Sequence, residues 1–190
     1  MSQRPSLQVA VVMRRERVPG AMSRWQPWRW VLDDVTGHDV LAHEAHFGKT
    51  PRCLRQTEDV QIWLHPGFTV ELFRDDAEGY YLNAASPAPC WFVLWRMEEE
   101  PSISDEVMAV PAMVSLSYHD AGRWLDAQEK VDQVPAPADV VAWMAGFVEA
   151  HWTVEAKRRK RPDSFQPLQD RFGNPASVST DKMRGGGRGP

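Results

Sequence analysis

The stretch that decides the fold is Trp91-Phe92-Val93-Leu94-Trp95-Arg96-Met97. It is a nearly unbroken apolar run of strand length, and Glu98-Glu99-Glu100-Pro101 ends it. A half-buried strand alternates apolar with polar residues, whereas a continuous apolar run is typical of a strand buried on both faces. The stretch therefore predicts a central strand covered from both sides.

Other short segments around this strand also predict strands. They are β-branched, alternating or bounded by turn residues, and they lie at 7–18, 28–32, 60–64, 68–73, 80–84 and 110–118, with a weaker signal at 52–55. Pro66-Gly67 predicts a tight turn, Asp33-Asp34 supplies another, and the loop 75–79 with Gly79 predicts a β-hairpin.

Helical signals come later in the chain. Asp120 is suited to cap a short helix through Leu125, and Pro135 and Pro137 open a longer helix. The longer helix has an apolar stripe at helical spacing: Val140, Trp143, Met144, Phe147, Val148 and His151. Strands followed by a helix indicate an α+β fold, with a mostly antiparallel sheet or partly closed barrel of six or seven strands and a C-terminal amphipathic helix.

Charge divides the chain in two. Residues 157–190 hold nine Lys or Arg against three Asp, a net charge of +6, whereas residues 1–156 carry −10. The last stretch has too few apolar side chains to offset the entropy of ordering. We therefore predict a single acidic α+β domain at 1–156 and a disordered, mobile basic tail at 157–190.

Several classes of protein are disfavoured. No apolar run approaches the roughly 20 residues that span a bilayer, so no membrane insertion is predicted. The start lacks the basic-then-apolar order of a secretory signal, and Cys53 and Cys90 are far apart, so we expect a cytoplasmic protein with free thiols. Phosphate-binding glycine loops and the common hydrolase motifs are missing. Their absence is weak evidence against an enzyme, because many enzymes lack such motifs.

Two sets of residues that contain histidine are candidate sites. His38, His43 and His46 with Glu44 resemble a ligand cluster, but a solvated loop explains them better, and no metal site is predicted. His65 precedes the predicted turn, where an imidazole titrating near neutral pH could bind a ligand or relay a proton. With Tyr81 and Asn83 from the adjoining strand it forms a candidate pocket, unless His65 merely hydrogen-bonds the backbone.

Partner binding has two signals. Nine Trp are about three times the usual frequency, and such aromatics serve as core, interface or ligand platform. The basic run could contact nucleic acid or an acidic protein surface. The candidate partner-binding residues are Trp124, Lys157, Arg158, Arg159, Lys160 and Arg161.

The sequence also carries a family resemblance, through the segments 64–68, 78–83, 89–93, 116–118, 121–124 and 159–162. It resembles an uncharacterised proteobacterial family of small proteins with a "domain of unknown function" label, from the first strand to about Arg171. The family's genes tend to lie near those of molybdenum-dependent formate dehydrogenase and its maturation factors. Some members carry a molybdopterin-guanine dinucleotide biosynthesis label, which does not fit here because residues 9–13 run into Arg14-Arg15-Glu16-Arg17 rather than a glycine-rich loop.

The resemblance implies a non-catalytic accessory or assembly protein whose partner is a formate dehydrogenase subunit or maturation factor. The alternative is a small-molecule or molybdenum-cofactor binding domain with its pocket near His65 and Tyr81. The third hypothesis is nucleic-acid binding through the tail. The leading hypothesis needs no cofactor, and the oligomeric state is left open.

Overall fold

Two antiparallel sheets of four and three strands frame the protein in the computed structural model, which describes residues 4–37 and 48–153. The strands are β1 Ser6–Arg17, β2 Trp28–Thr36, β3 Arg52–Gln56, β4 Val60–Glu71, β5 Cys90–Met97, β6 Ala109–Ser115 and β7 Val131–Pro135. The helices are α1 Ala77–Ala84, α2 Tyr118–Asp126 and α3 Ala138–His151.

The strand order confirms the predicted α+β class. The first sheet has the order β2-β1-β4-β3 and the second has the order β6-β5-β7, with antiparallel neighbours throughout. Among the described residues these are two separate sheets rather than a closed barrel.

Strand β5 lies at the centre of its sheet and is covered from both sides, as the sequence predicts. Trp91, Val93 and Trp95 belong to the main core, which also holds the inward residues of β1 and one face of α3. Phe92 on the opposite face packs with Ala121 of α2. The continuous apolar run therefore follows from burial between two layers.

The predicted turn at Pro66-Gly67 is wrong, because β4 continues through it as one long strand. Val9 pairs with Phe68 and Val11 pairs with His65, so Pro66 and Gly67 together oppose the single residue between Val9 and Val11. Gly67 has φ of +95°, a conformation that glycine adopts easily. An extra residue with these two residue types is typical of a β-bulge, which bends a strand without ending it.

The predicted hairpin at 68–84 is also wrong, since helix α1 stands where its second strand was expected. The buried residues Ala77, Tyr80 and Asn83 recur every three positions, which places them on one helical face. Tyr80 donates towards the backbone of Glu71 and accepts from the amide of Phe73. These tertiary contacts favour the helix over the hairpin that the loop 75–79 with Gly79 suggested.

Three smaller predictions also need correction. Asp33 and Asp34 lie inside β2 rather than in a turn. Ser117, not Asp120, caps α2, and its hydroxyl accepts from the amides of His119 and Asp120. Strand β7 ends at Pro135, which was expected to open the longer helix, and it is a strand that the sequence analysis did not predict.

Some predictions lie outside the described residues. These are the His38, His43, His46 and Glu44 cluster and the whole of the basic tail, so the division at 156/157 stays a prediction. All described residues belong to one unit that spans Met1–Thr153. Within them no helix has the length and apolar character needed to cross a membrane.

Candidate functional site

One end of the space between the sheets is lined by tryptophans and cations instead of aliphatic side chains. The inward residues of β1 begin with Val9, Val11 and Met13 in the core and continue with Arg15 and Arg17. On the neighbouring strand β2, Trp30 pairs with Arg15 and Trp28 pairs with Arg17. The residue pattern of β1 thus changes from apolar to cationic where the core ends.

The second sheet supplies the opposite wall. Trp95 and Met97 come from the end of β5, and Lys130 immediately precedes β7, the strand that approaches β2. A cleft of about 450 Å³ lies between these walls. We call it the tryptophan cleft, and its lining residues are Gln26, Trp28, Arg29, Trp30, Trp95, Met97 and Lys130.

Cations lie over the ring faces in and beside the cleft. The guanidinium carbons of Arg15 and Arg17 are 4.8 Å and 5.2 Å from the Trp28 ring centre, and the Lys130 ammonium is 3.6 Å from that of Trp95. The Trp95 indole N–H donates to Asp132 at 2.8 Å. Such cation–π pairs contribute about 0.5–1 kcal/mol each at exposed sites. They hold the rings and the cations in a defined arrangement.

Exposed apolar side chains lie in the segment that directly precedes the first cleft residues in the sequence. Trp25 directly precedes the lining residue Gln26 and is 84% exposed, and Met22 is 63% exposed. A 3-10 turn over Ala21–Arg24 holds them, and the amide of Trp25 donates to the Met22 carbonyl at 3.0 Å. Trp, Met and Arg are enriched in protein interfaces, and exposed apolar patches mark interaction sites. The cleft, together with the exposed Met22 and Trp25, has the composition of a protein-binding surface.

The candidate pocket residue His65 lies in the core side of β4 and is only 2% exposed. Its Nε2 has no hydrogen-bond partner among the described residues. The pKa of His65 is lowered from 6.5 to about 4. Burial is the main cause, and the nearby charge of Glu98 opposes it only in part. The expectation of an imidazole that titrates near neutral pH is therefore wrong.

Asn83 and Tyr81 lie on helix α1 rather than on a strand. The Asn83 amide donates to the carbonyls of Cys90 and Leu116, both at 2.8 Å, and its oxygen accepts from the Cys90 amide at 3.0 Å. Tyr81 packs on Trp152 with 4.1 Å between ring centres. No hydrogen bond among the described residues joins Tyr81 or Asn83 to His65. Asn83 instead ties helix α1 to the backbone of Cys90 and Leu116. A shared pocket stays a hypothesis.

The candidate partner-binding residues divide between described and undescribed parts. Trp124 lies on α2 and packs against the cluster that contains Cys90 and Phe92. It does not line the tryptophan cleft. The basic run 157–161 lies outside the described residues, and its role stays a prediction.

Cys90 is buried, and burial raises the pKa of its thiol. It therefore behaves as a small buried hydrophobe in the cluster with Phe92 and Ala121. Over residues 4–37 and 48–153, no three His, Cys, Asp or Glu side chains form a group that could hold a metal ion.

Sequence reasoning did not single out the residues of the cleft. The signal was the number of tryptophans, with three of the nine between Trp25 and Trp30. The count could not separate the exposed Trp25 from the fully buried Trp91, because both follow from the same composition.

Comparison with known proteins gives one match. The model of a family described as "Protein of unknown function (DUF3305)" matches residues 8–161, which is most of the chain. No curated protein and no solved structure matches the chain. The family match confirms the resemblance to an uncharacterised family and leaves the activity to be argued from the residues.

Proposed function

We propose that this chain, which belongs to the DUF3305 family, is a non-catalytic accessory or assembly protein that binds a protein partner at the tryptophan cleft. The observation that carries the proposal is Trp25, a tryptophan 84% exposed that directly precedes Gln26, a residue of the cleft that three more tryptophans line. The proposed partner is a subunit or maturation factor of a molybdenum-dependent formate dehydrogenase. The gene neighbourhood implied by the resemblance supports that identity.

Burial of the exposed tryptophan would contribute enough free energy to anchor an interface. A Trp side chain buries roughly 200 Å² in a complex. Covering the 84% of Trp25 that is exposed would contribute about 4 kcal/mol at 25 cal/mol per Å², before the costs of association. Trp is also the residue type most enriched among binding hot spots. Trp25 is therefore expected to dominate the contact.

The alternative of a small-molecule pocket near His65 and Tyr81 has less support. Asn83, the third member of that pocket, already uses its amide on the backbone of Cys90 and Leu116. A ligand would have to replace bonds that hold the core together.

Co-purification tests the proposal with the full chain. Tagged wild type, Trp25→Ala and the control Leu125→Ala are expressed in native cells grown with formate and molybdate. Leu125 is 58% exposed on helix α2 and lies outside the cleft. Wild type and the control should recover a dehydrogenase subunit or maturation factor, and Trp25→Ala should recover at least tenfold less.

Two results would overturn the proposal. One is wild-type chain that recovers no dehydrogenase subunit or maturation factor. The other is Trp25→Ala that recovers as much partner as wild type does. Circular dichroism of each variant shows whether the fold is retained.

The basic run is tested in the same experiment by replacing all five Lys and Arg at 157–161 with Gln in the full chain. Reduced recovery would assign the tail a share of the contact, and unchanged recovery would restrict the contact to the acidic domain. Nucleic-acid binding through the tail predicts instead an affinity for DNA or RNA that falls steeply with salt and is lost in this variant.

A further inference from the structure

We infer that the segment bound in the tryptophan cleft carries carboxylates beside an apolar or aromatic anchor. This inference rests on the proposed function and names the chemistry of the partner.

The cleft collects positive charge within a domain whose net charge is negative. Lys130 lines it, and Arg15 and Arg17 flank it against the Trp28 ring, whereas the lining residue Arg29 is already paired with Glu16. Charges are screened beyond about 8 Å at physiological ionic strength. A segment seated in the cleft therefore responds to these nearby cations more than to the net charge of −10 on residues 1–156.

Carboxylates of the chain itself show which ligand these arginines accept. Arg15 Nη2 lies 2.5 Å from Glu106 Oε2, and the Arg15 side chain is only 14% exposed. Arg17 Nε lies 3.2 Å from Asp59 Oδ1. Glu106 comes from the loop between β5 and β6, and Asp59 comes from the loop between β3 and β4. Each arginine thus already binds a carboxylate that arrives from a connecting loop.

These two carboxylates can be replaced at little cost. The side chains of Glu106 and Asp59 are 65% and 72% exposed, and ion pairs of such exposure contribute little stability. The arginines keep their positions without them, because the Trp28 ring face contacts both guanidinium groups. A partner carboxylate could therefore take the place of Glu106 without rearranging the cleft.

Binding of a matched pair of fluorescein-labelled peptides to the full chain tests this inference. One hexapeptide holds one tryptophan, one leucine and four aspartates, and its twin has asparagines in place of the aspartates. Fluorescence anisotropy at low salt should show at least tenfold tighter binding of the acidic peptide. The preference should weaken as salt is raised, since it depends on charge.

Variants locate the preference in the cleft. Glu106→Gln should bind the acidic peptide several-fold more tightly, because it frees Arg15. Arg15→Gln should bind the acidic peptide several-fold more weakly, whereas the control Arg123→Gln, which changes an arginine that pairs with Asp120 on helix α2, should bind it as wild type does. Equal or absent binding of the two peptides, or no gain in Glu106→Gln, would overturn the inference.

The outcome is separable from that of the proposed function. If the peptides show no preference while Trp25→Ala still loses the dehydrogenase partner, the docking surface stands and its carboxylate specificity falls. If the preference holds while Trp25→Ala recovers the partner normally, the cleft binds acidic segments and the proposed function falls.

Discussion

Replacing Asn83 by Ala tests whether this residue holds the core together or lines a pocket. The Asn83 side chain is fully buried and bonds three backbone groups, the Cys90 N–H and the carbonyls of Cys90 and Leu116. An unpaired buried polar group costs about 1–3 kcal/mol. Three such groups predict a loss of about 3–5 kcal/mol in the free energy of unfolding, a large share of the 5–15 kcal/mol typical of a domain.

Urea denaturation followed by circular dichroism at pH 7 measures this loss. Leu82→Ala is the matched control, because Leu82 is the preceding residue on the same helix and is 41% exposed, so it should lose less than about 1 kcal/mol. Asn83→Asp should also destabilise, since its carboxylate would face two carbonyl oxygens. If Asn83→Ala lowers the free energy of unfolding no more than the control does, Asn83 does not hold these backbone groups together.

Three further predictions follow from single groups. Between pH 6.5 and 4 the unfolded state binds a proton at His65 that the native state does not bind. Acidification through this range should therefore lower the free energy of unfolding by about 3 kcal/mol. A His65→Gln variant with the same pH dependence of unfolding as wild type would contradict this. Gly79→Ala should lower the melting temperature, because the added Cβ would overlap the Ser117 hydroxyl that caps α2. The control Gly122→Ala adds its Cβ to open space and should leave the melting temperature unchanged. Equal melting temperatures for the two variants would exclude the clash. A thiol reagent should label native chain at Cys53 and spare Cys90, whose thiol is buried with a raised pKa, until denaturant is added; rapid labelling of both thiols would show that the core opens readily.

The strongest local patterns predicted their elements correctly. The apolar run over 91–97 is the central strand β5, and the apolar stripe after Pro137 is helix α3. Both patterns are long enough for burial to show in the periodicity of the residues. The segment around Tyr80 is too short for its pattern to separate a strand from a helix, and the strand predicted there rested on the loop before it. There the contacts of Tyr80 with the backbone of β4 decided the outcome.

The candidate site shows the same limit. The sequence showed the excess of tryptophan, but the cleft exists because β2 approaches β7 and because two arginines of β1 follow its core residues on the same face. The pocket predicted around His65 relied on a turn that is instead a bulge. Strand pairing between distant segments set both results, and local composition carries little information about it.

By itself the sequence determined the α+β class, the central strand, the last helix of the described domain and the family resemblance, because these depend on composition, periodicity and local motifs. Only the tertiary structure decided which tryptophans are exposed, that Asn83 binds the backbone, and that Arg15 meets Glu106 across the chain. The physical reason is that exposure and contact depend on which elements pack together. Residues far apart in the chain share one environment only after the sheets have paired.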